Sequence, residues 1–159
     1  MPLDQIDINI LSELQKDARL SAQQLSEKVG AAPTVCWRRL KALTEKGLIR
    51  GYHAQLDAKL SGVTEVIFAK VRIANHSGKT VAAFEREVIA RDEVLECYPV
   101  MGDADYMLKI AVPNIAAYNS FLQSFLFKVP GIANVESSLA LKEVKNTSAL
   151  PIRQYFNQS

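Results

Sequence analysis

Apolar residues recur along this chain with two different periods, and the switch between them divides it. In the first third the spacing is helical. Leu3, Ile6, Ile10 and Leu14 fall three, four and four residues apart, which sets one stripe of a first helix against a core. Ser21 with Gln24 three residues on is a capping-box pair that opens a second helix, with Leu25 and Val29 on its buried side. Gly30 ends that helix, where a residue tolerant of positive φ is needed. Pro33 suits the first turn of a third helix, since its missing N–H removes no hydrogen bond there. Cys36, Leu40 and Leu43 turn inward before Gly47 stops this helix, and residues 48–56, LIRGYHAQL, predict a short β wing.

Beyond Gly62 the period shortens to two. Ile67, Ala69, Val71 and Ile73 alternate along a strand over residues 65–73. A helix over 79–90 follows, through Val81, Phe84 and Val88, and then strands over 94–101 and 106–112 joined by a tight GDAD turn. Asn114 caps a second helix through Ile115, Tyr118, Phe121, Leu122 and Phe125, stopped by Pro130 and Gly131, and a last strand runs over 135–145. The order βαββαβ predicts a ferredoxin-like antiparallel sheet with both helices on one face. The fold class is α+β. A winged helix-turn-helix domain spans residues 1–56, a linker 57–62, the ferredoxin-like domain 63–145 and a loosely held tail 146–159.

Composition sharpens this division. The net charge of +2 is uninformative over the whole chain, but residues 1–56 hold eight Lys/Arg against six Asp/Glu, while the remainder holds eleven of each. All the excess cation therefore sits with the helix-turn-helix. Cys36 and Cys97 form no CxxC pair and have no histidine at ligand spacing, so neither a disulfide nor a metal site is expected. The N-terminus carries acids where an export signal needs a basic start, and no apolar run reaches the roughly eighteen residues that span a membrane. These features predict a cytoplasmic protein with no membrane partner.

Two clusters could carry chemistry. Thr34, Val35, Trp37, Arg38 and Lys41 lie on the third helix away from its inward residues. Thr34 and Arg38 are placed to meet base edges of double-stranded DNA, and Arg39, Lys41 and Arg50 to meet phosphates. The other reading is a solvated basic face with Trp37 packed sideways. The second cluster is Met101, Gly102, Asp103, Ala104, Asp105 and Tyr106. It reads as a plain hairpin turn, or as a pocket whose backbone N–H groups take a carboxylate and whose aspartate takes an ammonium. His53 and His76 stand alone in loop-like surroundings, no catalytic set emerges, and no cofactor is expected.

Four separated stretches together resemble the Lrp/AsnC (feast/famine) family of transcriptional regulators: LDQIDINILSELQKDARLS, CWRRLKALTEKGLIRGY, ECYPVMGDADYMLKIAVPNIAAY and LKEVKNTSALP. The resemblance implies a DNA-binding domain and a ligand-sensing assembly domain, the RAM domain, with an amino-acid effector. It implies dimers that build octamers and a nucleoid-associated role. Carried onto this chain, the effector residues are Met101, Gly102, Asp103 and Asp105, complemented by Ser137, Ser138 and Leu139 on the last strand of a neighbouring subunit. The chain departs from the family at Ala32, where a serine usually precedes the proline, and at Ala104, often aromatic in relatives. A nucleoid-like protein that bends DNA without sensing anything is the rival reading.

Assembly is also expected from area. A sheet with helices on one face leaves Val66 and Phe68 exposed on the other, predicting a homodimer through the sheets. Phe121, Leu122, Phe125, Leu126 and Phe127 cover more of the second helix than one buried stripe needs, which predicts further apolar surface for higher assembly. A two-fold dimer favours roughly palindromic half-sites.

Overall fold

The computed structural model describes residues 3–156, which form two compact units: residues 3–54 with 145–156, and residues 55–144.

The first unit is built on three helices, α1 (Gln5–Leu14), α2 (Ala22–Val29) and α3 (Pro33–Glu45). Asp4 caps α1 and forms a full capping box with Asp7, and Ser21 does the same for α2 with Gln24. Gly30 closes α2 at φ 70°, a left-handed conformation that a side chain would strain. Ala32 leaves α3 without a side-chain cap, and Pro33 starts it. Ile10, Leu11, Leu14, Leu25, Cys36 and Leu43 form the core, with Leu40, Val29 and Ile49 at its margin.

Three expectations for this half of the chain are corrected. Residues 48–56 form no strand, because a wing exists only as a paired ladder and no second strand is offered among the described residues. The expected linker contains a single helical turn, α4 (Ala58–Ser61), capped by Asp57 and closed by Gly62. The tail is held over residues 150–153. The Gln15 carboxamide donates to the Leu150 carbonyl at 3.1 Å and accepts the Leu150 N–H at 2.6 Å, and Arg153 pairs with Glu13 at 3.4 Å. A short helix, α7 (Ile152–Phe156), then packs Ile152 against the first core.

The second unit is a four-stranded antiparallel sheet in the order β2-β3-β1-β4, the ferredoxin-like order. Its strands are β1 (Glu65–Ile73), β2 (Val94–Pro99), β3 (Tyr106–Val112) and β4 (Ile132–Leu139). Ile67, Ala69, Val71 and Ile73 share a face with Tyr106, Leu108, Ile110 and Val112. On that face lie α5 (Gly78–Ile89), through Phe84 and Val88, and α6 (Ile115–Ser124), through Tyr118 and Phe121.

β4 starts earlier and ends earlier than expected. Ile132 pairs with Ile73, and the ladder finishes where the Ala140 N–H reaches Val66 near the start of β1, so later residues have no neighbour to pair with. The excess apolar surface expected on α6 is mostly absent. Phe125 leaves the helical conformation (φ −126°, ψ −78°), and a 3-10 turn over Leu126–Lys128 follows. That break buries Phe121, Phe125 and Leu126 together and leaves Phe127 exposed. On the open face of the sheet, Val66 is half-buried and Phe68 exposed, as the alternation requires.

Candidate functional site

The helix-turn-helix presents its cations through α3. Burial of Cys36 and Leu43 turns the opposite side of the helix outward, where Trp37 is 58% exposed. Thr34, Val35, Trp37 and Arg38 line one shallow depression on that side. The Lys41 ammonium stands 5.5 Å from the indole centroid and 3.8 Å from the Glu45 carboxylate. Arg38 and Arg50 are exposed and make no ion pair among the described residues. Arg39 departs from this set. Its guanidinium lies 2.7 Å from Asp4 and 3.4 Å from Asp7, both at the start of α1. The two acids three residues apart, LDQID, were the only available signal, and a capping box explains that spacing without any cation.

The turn between β2 and β3 is tied to the end of β1. Antiparallel pairing sets Val71 against Tyr106, which brings residues 72–76 beside residues 101–105. The Val100 N–H donates to the Asp105 carbonyl at 2.9 Å, and the Asp105 N–H to the Val71 carbonyl at 3.0 Å. Gly102 holds φ 139° and Met101 is fully exposed; the N–H groups of both lack a hydrogen-bond acceptor among the described residues. Ala104 is buried beneath this turn's exposed Met101 and Asp103.

The two aspartates are already engaged. Asp103 pairs with the Lys70 ammonium at 2.8 Å, while its carbonyl accepts from the Arg72 guanidinium. Asp105 accepts the Ile73 N–H at 2.7 Å and sits 2.8 Å from His76 Nε2. His76 is therefore not solitary: the β1–β3 register, invisible in a sequence spacing of 29 residues, delivers it to the turn. Lys70 holds the Asp103 carboxyl below the usual carboxylate range, and the Ile73 N–H, then His76, do the same for Asp105.

Ser137, Ser138 and Leu139 stand apart from that turn. They pair with Ala69, Phe68 and Ile67 on one edge of β1, while the turn adjoins β3 on its other edge. Strand alternation also separates them. Ser137 and Leu139 share the helix side, where Ser137 Oγ and the Tyr118 hydroxyl lie 2.6 Å apart, and Ser138 is on the open face. One chain does not bring the two sets together.

Among the described residues no three acidic, histidine or cysteine side chains are grouped to hold a metal, and no helix is long and apolar enough to cross a membrane. Cys36 and Cys97 are free thiols, both pushed up in pKa by burial.

Comparison with known proteins returns both halves. Residues 3–50 match the winged helix-turn-helix DNA-binding model and residues 66–150 the Lrp/AsnC ligand binding domain model. The chain is 42% identical over 151 residues to the Bkd operon transcriptional regulator of Pseudomonas aeruginosa, covering 94% of this chain and 98% of that one. It is 36% identical over 151 residues to the leucine-responsive regulatory protein of Escherichia coli, covering 95% and 92%. A Neisseria meningitidis transcriptional regulator solved as its L-Met complex superposes with a TM-score of 0.91 at 34% identity, covering 96% and 98%.

Proposed function

The chain belongs to the Lrp/AsnC family of transcriptional regulators, and from that premise we propose that it reads DNA through the exposed side of α3 and answers to a small amino acid at the β2–β3 turn. It is a regulator and not an enzyme, with a helix-turn-helix that binds DNA and a separate ligand-binding domain. The amino-acid response is in keeping with the leucine-responsive relatives and the L-Met complex of the Neisseria protein.

The observation that carries the DNA reading is the pairing state of α3. Arg38 is exposed and unpaired beside the half-open indole of Trp37, the condition a side chain needs before it can enter a major groove. In this reading Thr34 and Arg38 meet base edges, Val35 and Trp37 give apolar contact, and Lys41 and Arg50 meet phosphates. The effector carboxylate takes the free N–H groups of Met101 and Gly102, with Asp103 and Asp105 facing its ammonium. Ser137, Ser138 and Leu139 come from a second copy, because within one chain β1 stands between them and the turn. A homodimer covers the open face around Val66 and Phe68, and dimers associate further, up to octamers, to complete the shared sites.

Thermal melts with each of the twenty amino acids test the sensing reading. A ligand at a hundred times its Kd stabilises by about 2.7 kcal/mol. No shift with any of them would leave a DNA-binding protein without this sensor. Light scattering on the eluting species tests assembly, and a clean 17.6 kDa monomer would remove the shared site.

A further inference from the structure

The helix that presents Trp37 and Arg38 carries another cation that points elsewhere. Arg39 lies ~100° around α3 from Arg38, at the border between the exposed side and the buried Cys36 and Leu43. Its Nη2 is 2.7 Å from Asp4 Oδ2 and its Nη1 3.4 Å from Asp7 Oδ2. Both acids are already committed to the start of α1. Asp4 Oδ1 accepts the Asp7 N–H at 2.9 Å, and Asp7 Oδ2 accepts the Asp4 N–H at 3.4 Å. The capping box of one helix is thus a cradle for the guanidinium of another. Asp7 is 1% exposed and its Oδ1 has no partner, so this buried carboxylate depends on the single cation beside it. The Asp7 N–H, and Arg39 to a smaller extent, hold the Asp4 carboxyl below the usual range.

α3 needs such a tether. It starts without a side-chain cap, and of its thirteen residues only Cys36 and Leu43 are fully buried, with Leu40 half-buried beside them, so Arg39 adds a polar anchor to a short apolar stripe. At an outer radius of ~5–6 Å, a roll of about 20° moves a side chain by roughly 2 Å. That displacement is enough to break a base-edge hydrogen bond.

We propose that Arg39 is a positioning residue for DNA recognition: held by Asp4 and Asp7, it fixes the roll of α3 and so the aim of Arg38 and Trp37, without contacting phosphate itself. This rests on α3 being the recognition helix. The decisive variant is Asp4→Asn, since asparagine keeps an oxygen for the helix cap while its NH2 group replaces the charged acceptor that faces Arg39. By electrostatics alone, deleting an acid beside DNA tightens binding to every sequence. Loss of aim does the opposite for the preferred sequence alone.

The full-length protein is tested on a duplex that wild type enriches from a randomised library and on a random duplex, each across a salt series. In Asp4→Asn and Arg39→Met the preference for the enriched duplex falls about tenfold, with Arg39→Lys recovering part of it. Random-duplex affinity holds or rises in Asp4→Asn, and the salt slope is that of wild type in both variants. Two results overturn the proposal: unchanged preference in Asp4→Asn, or a slope reduced by about one in Arg39→Met while Asp4→Asn matches wild type, which marks a phosphate contact. If wild type enriches no sequence, the recognition-helix reading fails first and takes this role with it.

Discussion

The exposed side of α3 and the turn between β2 and β3 are both polar and charged, yet their side chains are in opposite states. On α3, Arg38 is unpaired and Trp37 is 58% exposed. At the turn both aspartates are held, Asp103 by Lys70 and Asp105 by the Ile73 N–H and His76. A surface of unpaired donors binds on contact, paying only its own ordering entropy. A surface tied to itself must exchange bonds, so whatever it binds pulls on β1 as well. The first arrangement suits reading and the second suits responding.

The largest expected effect comes from cutting the clasp. Asp105→Ala removes the acceptor for Ile73 and His76 together. Titration calorimetry is expected to show loss of the amino-acid response while effector-free DNA binding persists. Ligand affinity equal to wild type would mean that the clasp is only a turn. Next in size is Arg38→Ala, which costs about 1–3 kcal/mol on preferred DNA if the guanidinium bridges a guanine, and relaxes the base preference. Arg50→Ala is its counterpart, expected to weaken all sequences alike and lower the salt slope by about one. Equal loss of preference in both variants would erase the division between reading and holding.

A smaller change, of opposite sign, is Ala32→Ser. It supplies the missing cap of α3 and stabilises the protein by about 1 kcal/mol, visible as a raised Tm. An unchanged melting curve would show that Pro33 already sets that end. The smallest effect is on acidification. Because Asp103 and Asp105 have lowered pKa values when folded, their bonds contribute fully above the ordinary carboxylate range. That contribution fades as pH falls below about 4 and through their folded values. The Ile73 backbone amide shift, followed by NMR across that range, is expected to titrate with a midpoint below that of an unperturbed aspartate.

Local chemistry was legible in the sequence and long-range pairing was not. The alternation of Ile67, Ala69, Val71 and Ile73 placed β1 to the residue, and Ser21 and Asn114 cap their helices as expected. Each of these is settled by neighbours within a few positions. Residues 48–56 stay outside any ladder because strand-like residues make no strand without a partner, and the end of β4 was set by where β1 begins. Phe125 to Phe127 looked like more of one helix stripe, but a change of backbone conformation buried two of the three. In the candidate sites, residue types named side chains and left their pairing open. Whether a charge was spent internally, as for Arg39 and Asp105, depended on residues about thirty positions away.

The bonds between the Gln15 carboxamide and Leu150 make the DNA-binding unit discontinuous in the chain. In terms of architecture, residues 55–144 are an insertion into a host that closes behind them. Grafting a different sensor onto this reader would therefore mean replacing that insert and keeping both flanks. A cut at residue 56 would discard Ile152 and the partner of Gln15, and leave a reader with part of its own core missing.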